Sequence, residues 1–258
     1  MEDCVWPGDV NRDEGVDGKD IITTGVLAGL NITDGTPRGL TSTEWFAFNS
    51  DDWGSSLGDL NAKNGDVNGS GMINETDLEG LTDNFGLTRD GYDNRRVLDD
   101  LPDPQGLRSV FEVDTVDLAT ALLFDRIVNT DIFLGDIQDQ IGEPLHGISF
   151  DMQFDTNLVA PFNRIDDIFS TVFDYGFGAM PNSARVGNEL RGDDNIQYGF
   201  TNLDGQNSIE GGPLANQNLF IKDLATTANA DGVDTLAVRF FNVCAVTASG
   251  EEVEIGVV

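Results

Sequence analysis

Apolar residues along this chain change their period once, near residue 90. Before that point they recur every three or four positions. Ile21, Ile22, Val26, Leu27 and Leu30 form one such set, and Leu78, Leu81 and Phe85 form another. That spacing returns a side chain to the same face at each helical turn, so two short amphipathic helices are predicted, with Gly29 and Gly86 as their stops. After residue 106 the period is two. Ile148, Phe150, Met152 and Phe154 alternate with Ser149, Asp151, Gln153 and Asp155, the pattern of a strand with one face in a core. Further strands are predicted over Val110–Val116, Ala119–Val128, Ser170–Tyr175, Ile196–Phe200, Asn218–Lys222, Thr235–Phe241 and Val253–Val258, separated by Gly/Asn/Asp turns.

The two periods divide the chain. Residues 1–90 read as a small α-helical module with an insertion at 31–65. Residues 91–106, polar and proline-bearing, read as a linker. Residues 107–258 read as one antiparallel β-sandwich, so the fold class expected is α+β and multidomain.

Immediately before each predicted helix lies a twelve-residue stretch rich in oxygen. The first is Asp9-Val-Asn-Arg-Asp-Glu-Gly-Val-Asp-Gly-Lys-Asp20, the second Asp66-Val-Asn-Gly-Ser-Gly-Met-Ile-Asn-Glu-Thr-Asp77. A hard cation such as calcium takes six to eight oxygens at ~2.3–2.6 Å, and alternate residues of a tight loop can point them inward. In the first loop, Asp9, Asn11 and Asp13 would supply side-chain oxygens, Gly15 its carbonyl, Asp17 a direct or water-bridged contact, and Asp20 the closing carboxylate. In the second, the same roles fall to Asp66, Asn68, Ser70, the Met72 carbonyl, Asn74 and Asp77. Two calcium ions are expected, and magnesium suits such a flexible all-protein cage less well. Asp/Asn/Gly runs are also ordinary surface turns. Two runs at matching positions, each preceded by Gly-Asp-Val-Asn and followed by a helical pattern, favour the metal. Gly71 fills the sharp-turn position 6 of the second loop. Glu14 stands there in the first, so that loop should be strained. Val16 and Ile73, both at position 8, are expected to pair as a short strand between the loops.

A loop pair closed by Asp at position 12 resembles the dockerin type of calcium module, an EF-hand-like unit, over residues 6–90. Glu14 and the insertion depart from that pattern. The opening run Val5–Asp9 is similar to that of duplicated modules on secreted proteins of Bacteroidetes-type bacteria. Residues 107–258 resemble a cohesin-like or adhesin-type sandwich. The likeness is carried by Gly147–Leu158, by Tyr198–Ile209 with Pro213–Ile221, and by Thr235–Ile255 with its Ser-Gly turn. The pair of resemblances implies a binding module and its receptor within one chain.

Composition narrows the partners. Forty-six acidic against fourteen basic residues give a formal charge of −32. Phosphate recognition needs clustered Lys and Arg, so nucleic acid is excluded as a partner, and anionic membrane is disfavoured. No segment is apolar enough to insert in a membrane. An apolar fraction of 39% with 16 Phe argues for buried cores rather than disorder. The acidity suits an extracellular, calcium-bearing medium. Met1-Glu-Asp is no leader, so a secreted chain would be mature or a fragment. Cys4 and Cys244 are the two cysteines, and their pairing is left open. Of the three Asn-x-Ser/Thr sequons, at Asn31, Asn68 and Asn74, two fall inside the second loop, where a glycan would obstruct a ligand.

Enzymatic chemistry finds no support. His146 is the single histidine, no Gly-x-Ser-x-Gly elbow surrounds a serine, and no zinc or phosphate-loop spacing occurs. The function expected is an extracellular calcium-binding structural subunit. Its module would dock on the sandwich of the next copy, assembling a filament or surface layer head to tail. The alternative is a monomeric adhesion or carbohydrate-binding module contacting surface glycans through Trp45 and Trp53. The other aromatics of the insertion, and these two by preference, read as core.

Overall fold

The computed structural model describes residues 4–89, 102–111, 127–135, 145–161, 183–191, 195–206, 212–222, 236 and 238–255. Both predicted helices form. Helix α1 spans Gly18–Gly29 and α2 spans Glu75–Asp83. Asp17 and Asn74 cap them, each accepting from backbone N–H groups of the first turn. Asp20 and Asp77, three positions on, accept from the cap's own N–H, which completes a capping box at the N-terminus of each helix. The last residue of each candidate loop thus lies in the first turn of a helix.

The insertion folds over the helices as its aromatics suggested. Strand β1 (Cys4–Val5) pairs with β2 (Phe48–Asn49), and β3 (Ser56–Leu57) turns into β4 (Leu60–Asn61), followed by a 3-10 turn over Ala62–Gly65. Trp53 joins Val10, Val16, Ile21, Leu27, Leu78, Leu81 and Phe85 in one core, and Phe48 is buried too. Trp45 is half-buried and packs against Trp6. With Trp53 5% exposed, it offers no ring face to a sugar.

Beyond the module, strands run over Pro102–Phe111 (β5), Ile127–Leu134 (β6), Gly147–Phe154 (β7), Val159–Pro161 (β8), Ser183–Arg191 (β9), Asn195–Asn202 (β10), Gly212–Ile221 (β11), Val238–Val246 (β12) and Glu252–Val253 (β13). They make two antiparallel sheets, one of order β13-β12-β7-β10-β9 and one of order β5-β6-β11-β8. Ile148, Phe150, Met152, Ile196, Tyr198, Phe200 and Phe240 of the first meet Ile132, Leu134, Val159, Leu214 and Leu219 of the second in a single apolar layer. That is a β-sandwich. Phe150 stacks on Tyr198 with centroids 5.0 Å apart and meets Phe240 edge-on at 5.6 Å. No helix among the described residues is long and apolar enough to cross a membrane.

Several boundaries differ from expectation. Strand β5 starts at Pro102, inside the stretch read as linker, and it can carry prolines because it lies at a sheet edge. Strand β6 runs on through Asn129, Thr130 and Asp131, and β12 runs on to Val246. Strands β8 and β9, both at edges, had no apolar alternation to announce them. The strand expected over Ser170–Tyr175, most of Ala119–Val128 and the last residues of Val253–Val258 lie outside the described residues.

The module does not hang apart from the sandwich. Helix α1 lies across the outer face of β7 and β10. Its glycines make the approach possible. A Cβ on Gly18 would sit 2.5 Å from Cβ of Ser149, and one on Gly29 would sit 2.6 Å from Cα of Gly205. From the sheet side, Gly147 and Gly199 leave room for Ile22 and Ile21. Ile22 and Val26 pack with Val246 of β12, while Ile21 and Leu27 face the module's own core.

Candidate metal centre

The two acidic loops fold alike down to single hydrogen bonds. In the first, Asp20 accepts from the N–H groups of Val10 (2.7 Å), Asn11 (3.0 Å) and Asp17 (2.7 Å). In the second, Asp77 accepts from Asn68 (3.1 Å) and Asn74 (2.9 Å). The side chains of Asn11 and Asn68 accept from Asp13 and Ser70, each at 2.9 Å, and so turn the chain at the same point. Position 12 therefore ties loop positions 3 and 9 together in both copies. The twelve predicted ligand residues are divided six to each loop.

Positions 4 and 6 carry positive φ in both loops. The second uses glycine at each, Gly69 (77°) and Gly71 (85°). The first uses Arg12 (65°) and Glu14 (79°), so it adopts the same backbone with side chains that resist it. Left-handed backbone costs such residues roughly 1–2 kcal/mol each. The strain expected from Glu14 is present, and Arg12 adds to it.

The inter-loop pairing expected of Val16 and Ile73 does not form. Val16 instead donates to the carbonyl of Leu87 (2.9 Å) and accepts from Gly86 (2.9 Å), while Gly15 bridges Thr88 and Arg89 donates to Glu14 (2.8 Å). The chain leaving α2 returns along the first loop. It supplies the pairing strand because the insertion has moved the second loop elsewhere, where Arg38 donates its backbone N–H to Gly69 at 3.0 Å.

Burial makes these loops electrostatically unusual. Asp9 and Asp66 are 1% exposed, and Asp20 and Asp77 fully buried. Desolvation pushes Asp9 up to about 6, against the nearby Arg89 charge, and pushes Asp77 up to about 7. Burial raises Asp66 as well, and burial together with Asp17 and Asp13 raises Asp20. One oxygen of Asp9 and one of Asp66, the first ligand of each loop, is buried with no hydrogen-bond partner. A buried carboxylate oxygen without a donor is costly, and a cation at position 1 removes that cost. On this count the residues fit calcium. Among the described residues no three Asp, Glu, His or Cys side chains form a ready cage. Ion sites here would take oxygens from Asn, Ser and backbone carbonyls as well. Two cations reach the loops from outside: Arg89 pairs with Asp9, and Arg38 donates to the Val67 carbonyl and packs on Gly69.

Neither arginine was singled out in the sequence. The signal would have been one Arg in the insertion and one just after the second helix, in a chain with only fourteen basic residues. His146, buried between sheet and module, places Nδ1 3.0 Å from the Gln206 carbonyl and serves packing. Cys4 and Cys244 are both free thiols, and burial pushes Cys244 up to about 11.

No protein-family model matches the chain, and no curated protein matches it. Solved structures similar to it are cohesin modules. The sixth cohesin of scaffoldin B from Acetivibrio cellulolyticus, solved in complex with a Cel5 dockerin mutant, is 17% identical, with 51% of this chain and 84% of that one covered at a TM-score of 0.37. Type II cohesin A11 from Bacteroides cellulosolvens is 13% identical over 58% and 93%, TM-score 0.40. The second type II cohesin of the ScaA scaffoldin from Acetivibrio cellulolyticus is 7% identical over 61% and 87%, TM-score 0.42. With TM-scores this low, no functional step rests on the likeness.

Proposed function

We propose that this chain is an extracellular structural subunit whose N-terminal module is ordered by two calcium ions and works as a docking element for a β-sandwich. One observation carries the reading. The helix that begins inside the first loop, capped by Asp17 with Asp20 in its first turn, is the helix seated on β7 and β10, so the loop that would hold calcium also sets the docking surface. Asp9, Asn11, Asp13, Gly15, Asp17 and Asp20 would hold one ion, and Asp66, Asn68, Ser70, Met72, Asn74 and Asp77 the other. Bound calcium would supply fixed positive charge to these carboxylates, among them the buried oxygens of Asp9 and Asp66 that no donor reaches. The chain's own residues hold those carboxylates in place through backbone N–H groups, cap the two helices and exclude water.

Within one chain the module rests on its own sandwich. The same surfaces, met between copies, would give a heterologous contact, which propagates into an open filament unless its rotation closes. Negative-stain imaging and sedimentation velocity, run with millimolar calcium and with EGTA, test this. Polymers that shorten or dissolve in EGTA are expected. A chain that stays monomeric under both conditions overturns the assembly. The carbohydrate-binding alternative loses ground, because Trp53 is in the core and Trp45 packs on Trp6.

A further inference from the structure

Each candidate loop is met by one arginine from outside its own twelve residues, and the two arginines are held differently. Arg38 comes from the insertion. Its guanidinium donates to the Val67 carbonyl at 2.6 Å, lies over the Phe48 ring with 4.8 Å to the centroid, and packs against Gly69 so closely that a Cβ there would meet it at 2.5 Å. It is 7% exposed, and its charge faces Asp66 and Asp77. Protein encloses it, with Nε and Nη1 buried and no donor bond made by either. Arg89 comes from the strand that returns along the first loop. It pairs with one carboxylate oxygen of Asp9 while the other has no partner. Its side chain is 24% exposed and passes the Trp6 ring at 5.2 Å, so it has a way out to solvent.

We propose that Arg38 and Arg89 are built-in counter-cations that rank the two loops, the first filling with calcium before the second. This rests on the calcium reading above. A divalent ion at position 1 must take the oxygens of Asp9 or Asp66; the Arg89 guanidinium paired with Asp9, and the Arg38 charge that acts on Asp66 without pairing with it, repel that ion. Counting only the predicted ligand carboxylates, which would touch the ion, Asp9, Asp13, Asp17 and Asp20 set against Arg89 leave three net negative charges in the first loop. Asp66 and Asp77 set against Arg38 leave one in the second. The first loop is the more strained, but its ligand charge is larger, and its arginine can swing aside when the ion arrives. The second keeps its arginine and pays for it in affinity. Calcium uptake at the first loop would also free Arg89, the last described residue before the sandwich, from the module.

Isothermal titration calorimetry of calcium into the full chain tests the ranking, with Arg38→Ala, Arg38→Lys and Arg89→Gln as variants. The unchanged chain should show two unequal steps. Arg38→Ala should strengthen the weaker step about ten-fold and leave the stronger alone, as expected for removing one like charge from a partly buried site. Arg38→Lys keeps the charge and should not strengthen it, which separates charge from packing. Arg89→Gln, at a partly exposed side chain, should strengthen the first step by a few-fold. If the unchanged chain binds two ions and neither Arg38→Ala nor Arg89→Gln tightens its step, the arginine proposal falls and the calcium reading stands. If Arg38→Ala does not fold, Arg89→Gln alone decides. A chain that takes up no calcium overturns both.

Discussion

Among the described residues the module buries far more charge than the sandwich, whose one buried carboxylate, Asp151, accepts from the Asn242 amide at 2.7 Å. The sandwich closes over Phe150, Tyr198, Phe200, Phe240 and the aliphatics between them, with Phe150 in contact with all three other rings. The module also has an apolar core, but around it lie Asp9, Asp20, Asp66 and Asp77, each at most 1% exposed, with Arg38 and Lys63 beside them. Lys63 reaches the Ser50 carbonyl at 2.9 Å and Asp52 at 2.6 Å, so its own charge is spent within the insertion. Apolar burial is self-sufficient. Buried carboxylates are not, because desolvation of an ion exceeds what a few N–H donors return. One half of this protein should therefore depend on a solute and the other should not.

Removing calcium is the largest expected way to separate the halves. An ion bound only by the folded state stabilises it by RT ln(1 + [L]/Kd), about 4 kcal/mol per ion at a thousand-fold excess over Kd. Scanning calorimetry in EGTA should show the module's transition moving down by many degrees, while the sandwich transition stays. Two transitions that shift together by the same amount would mean that the halves melt as one unit, and no shift would mean that the loops hold no ion.

Proton binding gives a smaller effect of predictable sign. In metal-free protein, Asp9 sits near 6 and Asp77 near 7, both above the ordinary 3.8, mainly through burial. A folded state that holds protons more tightly than the unfolded chain is favoured at low pH and loses that advantage as pH rises through the folded values. In EGTA the module's melting temperature should therefore fall as pH is raised from about 5 to about 8. With calcium present the direction should reverse, since protons and the ion compete for the same oxygens. Melting curves across that range, with and without metal, check both signs. A rise with pH in EGTA would mean that those carboxylates stay ionised and are satisfied without an ion.

Much of this contrast was legible in the residues. Position 12 of each loop, the helix that follows it and the alternation at Ile148–Phe154 are local signals, and local chemistry decides them. Three features were not. The strands β8 and β9 are sheet edges, where one neighbour and weak burial leave little pattern. The return strand at Gly86–Arg89 replaced Ile73 as partner to Val16 because of where a long insertion put the second loop, which no local period encodes. The docking of α1 on the sandwich had a trace in the doublets Ile21-Ile22 and Val26-Leu27. Adjacent apolar pairs cannot share one face, so a helix carrying two of them has two surfaces to cover. Gly18, Gly25 and Gly29, seven and four residues apart, lie along the second of those surfaces.

Gly25 offers the finest test, because one methyl group there acts oppositely on the two halves. Gly25→Ala improves α1 as an isolated helix by up to about 1 kcal/mol, since glycine is the poorer helix former. Against the sandwich the same methyl would meet the Thr201 side chain and lie 2.7 Å from the Asn202 carbonyl oxygen. Backbone on the sheet side cannot turn away as a flexible side chain would, and overpacking of this kind costs about 1–3 kcal/mol. The docked state should therefore lose roughly 1 kcal/mol net. Calcium affinity of the loops should hold or improve slightly, as the helix that begins at the first loop is better formed. Hydrogen exchange in this 258-residue chain reads the two effects separately: faster exchange along β7 and β10, unchanged or slower exchange within α1. Equal protection of both elements in the variant and the parent would show that α1 does not press on that sheet face, and the separation of a solute-dependent half from a self-sufficient one would then have no shared surface to act across.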